Sequence, residues 1–143
     1  MAEIHDNGSV TLTAAVGGFA SPNDTQPNHI DAKLAEGFVA DFVALVGSTA
    51  RELSIPGGYE TLINMRWSGA APIYIRIPDP LGYLLGTEYS TGINEFVPVS
   101  AAIPANASDS MLLTATQELG LDITNHGGAQ GLYSIKSKLD SDE

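Results

Sequence analysis

The segment DAKLAEGFVADFVALVGSTAREL, residues 31–53, carries the clearest periodic pattern in the chain, and the rest of the fold is built around it. Its apolar residues recur at the steps of three and four that place side chains on one face of a helix, as at Leu34, Phe38, Phe42, Leu45 and Leu53. Polar residues, among them Glu36 and Arg51, fall on the other side. Asp31 is a suitable N-cap, and IPGG at 55–58 ends the pattern. The segment therefore predicts an amphipathic helix that covers a core.

Two segments after this helix alternate with the period of a β-strand. They are YETLINMRW at 59–67 and IYIRI at 73–77, joined by SGAAP at 68–72. If Ile73, Ile75 and Ile77 point to the core, then Tyr74 and Arg76 point to the other side. The pattern predicts a β-hairpin in an antiparallel sheet that a helix covers on one face.

Three further segments have strand character: SVTLTAAV at 9–16, EFVPVSAAI at 95–103 and GLYSIK at 131–136. Pro98 lacks a backbone N–H, which favours an edge position or a bulge for the second of them. Between the last two, residues 109–126 follow a helical period, so we expect a second helix there.

The glycines of NHGGAQG, residues 125–131, follow that second helix. Ser108 is its expected N-cap and Gly127 its expected C-terminal cap. A phosphate-binding loop precedes a helix, because the free N–H groups lie at the helix N-terminus. We therefore interpret the glycines as the end of a helix.

Together these elements predict a single α+β domain with the order β-α-β-β-β-α-β. It consists of a mostly antiparallel sheet of about five strands, with two helices packed on one face. Residues 1–7 are expected to form a flexible leader, residues 8–136 the domain, and residues 137–143 an acidic flexible tail.

The charge of the chain limits its partners. Seventeen acidic and six basic residues give a net charge of −11, and the bases form no cluster. Direct contact with nucleic acid is not expected, because such binding requires lysines and arginines that neutralise phosphates. No membrane association is expected either, since the most apolar helical segment contains Asp41 and is shorter than a membrane span. The acidic N-terminus indicates a cytoplasmic protein, and the acidity fits either adaptation to salt or solubility.

The sequence contains no motif of a catalytic, metal or cofactor site. Cysteine is absent, and His5, His29 and His126 lack the spacing of metal ligands. We therefore predict no catalytic residue, no metal and no cofactor, and we favour a non-catalytic protein over an enzyme. The alternative is a small metal-independent enzyme that uses carboxylates near the 78–94 loop, such as Asp79 or Glu88. His126 could pair with a carboxylate four residues before it, but a histidine at a helix C-terminus has a structural explanation as well.

Large aromatic and cationic side chains are concentrated between residues 66 and 89. The candidate binding residues are Arg66, Trp67, Tyr74, Arg76, Tyr83 and Tyr89. Aromatic residues and arginine are enriched at the energetic centres of interfaces. We therefore expect a non-catalytic interaction domain that acts through the outer sheet face and the 78–94 loop, with a second copy of the chain or another protein as its partner. In the alternatives, the loop itself covers that face, or the chain is an assembly subunit of a phage or particle.

Overall fold

The described residues form two helices and six short strands, which confirms the α+β class. The structure is a computed structural model that describes residues 1–15, 28–81, 83, 85–86 and 89–135. Within them the order of elements is β1 (Ala2–Ile4), β2 (Val10–Leu12), β3 (His29–Asp31), α1 (Ala32–Leu53), β4 (Tyr59–Ile63), β5 (Tyr74–Arg76), β6 (Val99–Ile103) and α2 (Asp109–His126).

Helix α1 begins and ends where the sequence predicts. The side chain of Asp31 caps it by accepting a hydrogen bond from the backbone N–H of Lys33, at 2.8 Å. At the other end Ser54 adopts a left-handed conformation, with φ 50°, and its N–H donates to the carbonyl of Ala50. The side of the helix that carries Val39, Phe42, Val43 and Val46 is buried, which confirms an amphipathic helix, but Leu34 and Leu53 of the predicted apolar face are exposed.

Helix α2 also has the predicted boundaries. The Ser108 hydroxyl accepts the N–H of Met111 at 3.3 Å, and Gly127 is the C-terminal cap. Asp109 lies in the first turn, where an acid is favoured by the helix dipole. Its carboxylate also pairs with Arg51 of α1 at 2.7 Å. The glycines after residue 126 therefore follow a helix end, as expected.

The strands form three separate two-stranded ladders, and not the single sheet of about five strands that the sequence predicted. The β1–β2 and β4–β6 ladders are antiparallel. The β3–β5 ladder is parallel, with Ile30 opposite Ile75. The smaller sheets follow from strand length, since four of the six strands are only three residues long.

The hairpin predicted for residues 59–77 does not form. Strand β4 pairs with β6, and β5 pairs with β3, a strand directly before α1 that the sequence did not predict. A period of two indicates which side chains face the core, but it does not determine which strand will be the hydrogen-bonded partner. Pairing β5 with β3 places Ile30 beside Ile75, and both side chains are almost completely buried. Burial of these side chains favours the observed pairing.

The two ends of the chain differ from the expected pattern. Residues 2–4, placed in the leader by the sequence, form β1 against β2. The predicted strand at 131–136 is absent from its described part, residues 131–135. The division into leader, domain and tail stays a prediction, and the tail at 137–143 lies outside the described residues, as does residue 16 of the predicted first strand.

The core lies between the two helices and the inner faces of the ladders. Helix α1 packs against α2, β2 and β3, and α2 packs on β6. The largest fully buried apolar side chains are Ile30, Val39, Val43, Val46, Ile75, Ile103 and Leu119. Among the described residues, neither helix combines the length and the hydropathy that crossing a membrane requires.

Candidate functional site

The 78–94 loop is attached to β5 by hydrogen bonds. The Arg76 Nε donates to the carbonyl of Leu85 at 3.0 Å, and the Leu85 N–H donates to the carbonyl of Ile77 at 2.8 Å. The Ser90 hydroxyl donates to the carbonyl of Ile75, also at 2.8 Å. The described part of the loop is therefore held along the strand at Leu85 and Ser90.

The alternation predicted for β5 is present in the structure. Ile73 and Ile75 are buried, and Tyr74 and Arg76 are half-buried on the other side. Ile77, which was also predicted to face the core, is only half-buried. The ring of Tyr74 lies so close to Gly92 that a β-carbon there would be 3.1 Å from the tyrosine hydroxyl. Loop residues thus lie against both outward-facing side chains, which restricts the access of any partner to Tyr74 and Arg76.

The exposed part of the loop presents three large side chains to solvent. Leu81, Tyr83 and Tyr89 are 83%, 72% and 62% exposed, respectively, and we call this group the loop surface. Asp79 shapes the turn beneath it, because its carboxylate accepts the N–H groups of Leu81 and Tyr83, each at 2.9 Å. The backbone that carries Leu81 and Tyr83 is therefore fixed by bonds within the loop.

The other two candidate binding residues, Arg66 and Trp67, lie elsewhere. They line a cavity of about 410 Å³ next to β3, β4 and α1, and no residue of the 78–94 loop contributes to its described lining. Arg66 is exposed, and Trp67 is half-buried with its indole N–H donating to the carbonyl of Ala71 at 2.9 Å. The six candidates thus separate into a loop group and a cavity group.

Of the two carboxylates considered for acid–base chemistry, the structure describes Asp79. Both hydrogen bonds that the Asp79 carboxylate accepts come from backbone N–H groups of its own turn. Glu88, the other carboxylate considered, lies outside the described residues. No observation therefore favours the carboxylate enzyme.

The contacts of His126 fit a structural role for this residue. Its ring stacks on Phe96, with the centroids 4.6 Å apart, and its Nδ1 lies 2.7 Å from the carbonyl oxygen of Asp122. The recorded partner of the imidazole is thus the backbone of Asp122 and not its carboxylate. In the described part of the chain, no group of three or more histidines and carboxylates is placed to hold a metal ion.

One buried carboxylate was missed by the sequence analysis, which placed Glu36 on the polar side of α1. The side chain is fully buried. Its oxygens accept the backbone N–H groups of Tyr133, Ser134 and Ile135 at 2.6, 2.5 and 3.0 Å. The segment after α2 therefore covers this side of α1. Burial, and then the negative charge of Glu36, raise the pKa of Tyr133 above its ordinary value.

No protein-family model, curated protein or solved structure matches the chain at a significant level. The function must therefore be inferred from the site itself.

Proposed function

We propose that the protein is a non-catalytic interaction domain that self-associates through the loop surface of Leu81, Tyr83 and Tyr89. The observation that carries the proposal is the exposure of three large, mainly apolar side chains on one loop that hydrogen bonds attach to the domain. Tyrosine is among the residues that contribute most energy at interfaces.

The attachment of the loop favours binding. Ordering a flexible loop on association costs free energy. A loop that is already held in place avoids this cost when it binds. The Asp79 carboxylate fixes the turn, and the Arg76–Leu85 hydrogen bond holds the following segment on β5. The half-buried Tyr74 and Arg76 thus have a supporting role in this proposal, beneath the surface that makes the contact.

A second copy of the chain is the partner that the charge distribution supports. With a net charge of −11, two copies repel each other over most orientations. An uncharged surface is where such molecules approach at the lowest electrostatic cost, and the three side chains of the loop surface carry no formal charge. A symmetric pair would place the same surface on both sides of the interface.

Sedimentation velocity at two protein concentrations tests this proposal. We expect the weight-average mass of the wild-type protein to rise with concentration and to rise further with added salt, because salt screens the repulsion. The Tyr83→Ala/Tyr89→Ala variant should remain monomeric under the same conditions.

The control is Leu53→Ala/Leu62→Ala, which removes two exposed leucines outside the loop and should associate like the wild-type protein. A monomeric wild-type protein at both concentrations would contradict the proposal, as would equal association of the wild-type protein and the tyrosine variant.

The cytoplasmic location expected from the sequence stays a prediction.

A further inference from the structure

The cavity beside Arg66 and Trp67 changes in chemical character from its floor to its mouth. Its floor is formed by buried aliphatic side chains, including Ile30, Ile63 and Ile73. The half-buried side chains of Phe38, Met65 and Trp67 line the cavity above this floor. Exposed residues with polar side chains also line the cavity, namely Thr13, Asn28, Asn64, Arg66 and Ser68. A molecule that fits this arrangement has an apolar body and a polar end.

The charge of the cavity is opposite to that of the whole protein. The chain carries seventeen acidic and six basic residues, but the described lining includes no aspartate or glutamate. Arg66 is its only permanently charged member, and His29 its only other residue with a basic side chain. In the described part of the chain, no hydrogen bond or ion pair is recorded for Arg66. Its guanidinium is thus available to an anion.

The size and the donors narrow the class of ligand. A volume of about 410 Å³ lies in the lower part of the roughly 300–1,000 Å³ range of small-molecule sites. One guanidinium matches one carboxylate, because its planar N–H groups can donate two parallel hydrogen bonds. The amides of Asn28 and Asn64 supply further donor groups near the mouth.

We propose that this cavity binds a small organic monocarboxylate, with its apolar body between Phe38, Met65 and Trp67 and its carboxylate on Arg66. The site is separate from the loop surface, because no described lining residue comes from the 78–94 loop. The inference therefore does not depend on the proposed self-association.

Trp67 provides a direct test, because it is the only tryptophan of the chain and lies in the cavity wall. The probe is 4-phenylbutyrate, titrated while the tryptophan fluorescence is recorded. The uncharged 4-phenylbutanol and the cationic 4-phenylbutylamine have the same apolar body. We expect a saturable change with the carboxylate, weaker binding of the alcohol and the weakest binding of the amine.

Two charge variants separate a specific contact from general attraction. In Arg66→Gln, we expect the Kd of 4-phenylbutyrate to rise about tenfold, as the loss of a charged hydrogen bond implies, while binding of the alcohol is unchanged. Lys33→Gln is the matched control, because Lys33 is exposed, carries the same charge and is outside the described lining. Thermal unfolding of both variants verifies that they are folded.

Three results would overturn the proposal. One is the absence of a saturable signal with 4-phenylbutyrate. Another is equal affinity for the carboxylate and the alcohol, which would reduce the site to an apolar pocket. The last is an equal loss of affinity in Arg66→Gln and Lys33→Gln, which would assign the effect to net charge and not to Arg66.

Discussion

The carboxylate of Glu36 lies fully buried on α1 and accepts three backbone N–H groups of residues 133–135. Periodicity assigned this residue to the polar side of the helix, and the burial comes from a segment about a hundred residues later in the chain. The sequence holds one indirect sign of it. Gly120 lies in the middle of α2, where a β-carbon would be 3.2 Å from both Leu132 and Ile135. A glycine inside a helix can thus mark the close approach of another segment.

Replacing Glu36 with glutamine tests how much this contact stabilises the fold. Glutamine keeps the shape but turns an NH₂ group toward backbone donors, so buried N–H groups lose their acceptor. We expect the free energy of unfolding to fall by about 2–3 kcal/mol, as for the loss of hydrogen bonds to a charged group. Urea unfolding measures the change. Glu52→Gln, at an exposed position of the same helix, should alter stability little, and equal effects of the two variants would contradict this interpretation.

The raised pKa of Tyr133 predicts a loss of stability in alkaline solution. A tyrosine in the unfolded chain ionises near pH ~10, whereas in the folded protein it keeps its proton to higher pH. Its contribution to stability is therefore fully present below pH ~10 and is lost as the pH rises through the folded-state pKa. Between about pH 8 and about pH 11, the free energy of unfolding should fall more for the wild-type protein than for Tyr133→Phe. Parallel pH profiles of the two proteins in urea unfolding would refute the prediction.

Among the elements, helices were predictable and strand partners were not. A helix satisfies its hydrogen bonds locally, so the caps Asp31 and Ser108 and the period of α1 and α2 sufficed to place their ends. A strand needs a partner that its own sequence does not specify. Strand β3 has only three residues, too few for a period of two to be recognised, yet it pairs with β5. The facing of Ile73 and Ile75 was therefore predicted correctly, and the pairing of β5 was not.

A pair of glycine substitutions tests the packing of the elements. In Gly127→Ala, the new β-carbon would lie 2.6 Å from the Cβ of Ile75, so the end of α2 must move away from β5. We expect a loss of about 1–3 kcal/mol from this overpacking. Gly37→Ala is the counterpart in α1, where no atom lies within 4 Å of the added carbon. There alanine should stabilise the helix by about 0.5–1 kcal/mol. Chemical denaturation measures the change in the free energy of unfolding for both variants. Changes of the same sign would contradict the described contacts.

For the whole molecule, the net charge of −11 predicts that stability depends on salt. Repulsion among the acids opposes the compact state, and salt screens it over a distance that shrinks from about 10 Å at 0.1 M to about 3 Å at 1 M. The thermal midpoint should therefore rise between about 0.02 and about 0.2 M sodium chloride. If the acidity serves solubility alone, the rise should level off there, whereas adaptation to salt predicts a further rise toward about 1 M. A midpoint that is constant over the whole range would contradict both.

The candidate site was predictable only in part, since composition indicated which residues to consider but not how they are grouped. Arg66 and Trp67 follow β4 and line the cavity, whereas Tyr83 and Tyr89 belong to the loop surface. The cavity also needs Phe38 of α1 and Ile30 of β3, which are far from Arg66 in the sequence. A cavity exists only once distant elements have packed together, so no local sequence pattern predicts it.

The contact of Glu36 with residues 133–135 also bears on when this protein can finish folding during its synthesis. A ribosome produces α1 long before it produces the N–H groups that this carboxylate accepts. Burying the unpaired charge in the meantime would be costly. The nascent chain must therefore keep that side of α1 in water until residue 135 has emerged, so this docking step takes place only after both helices have been synthesised.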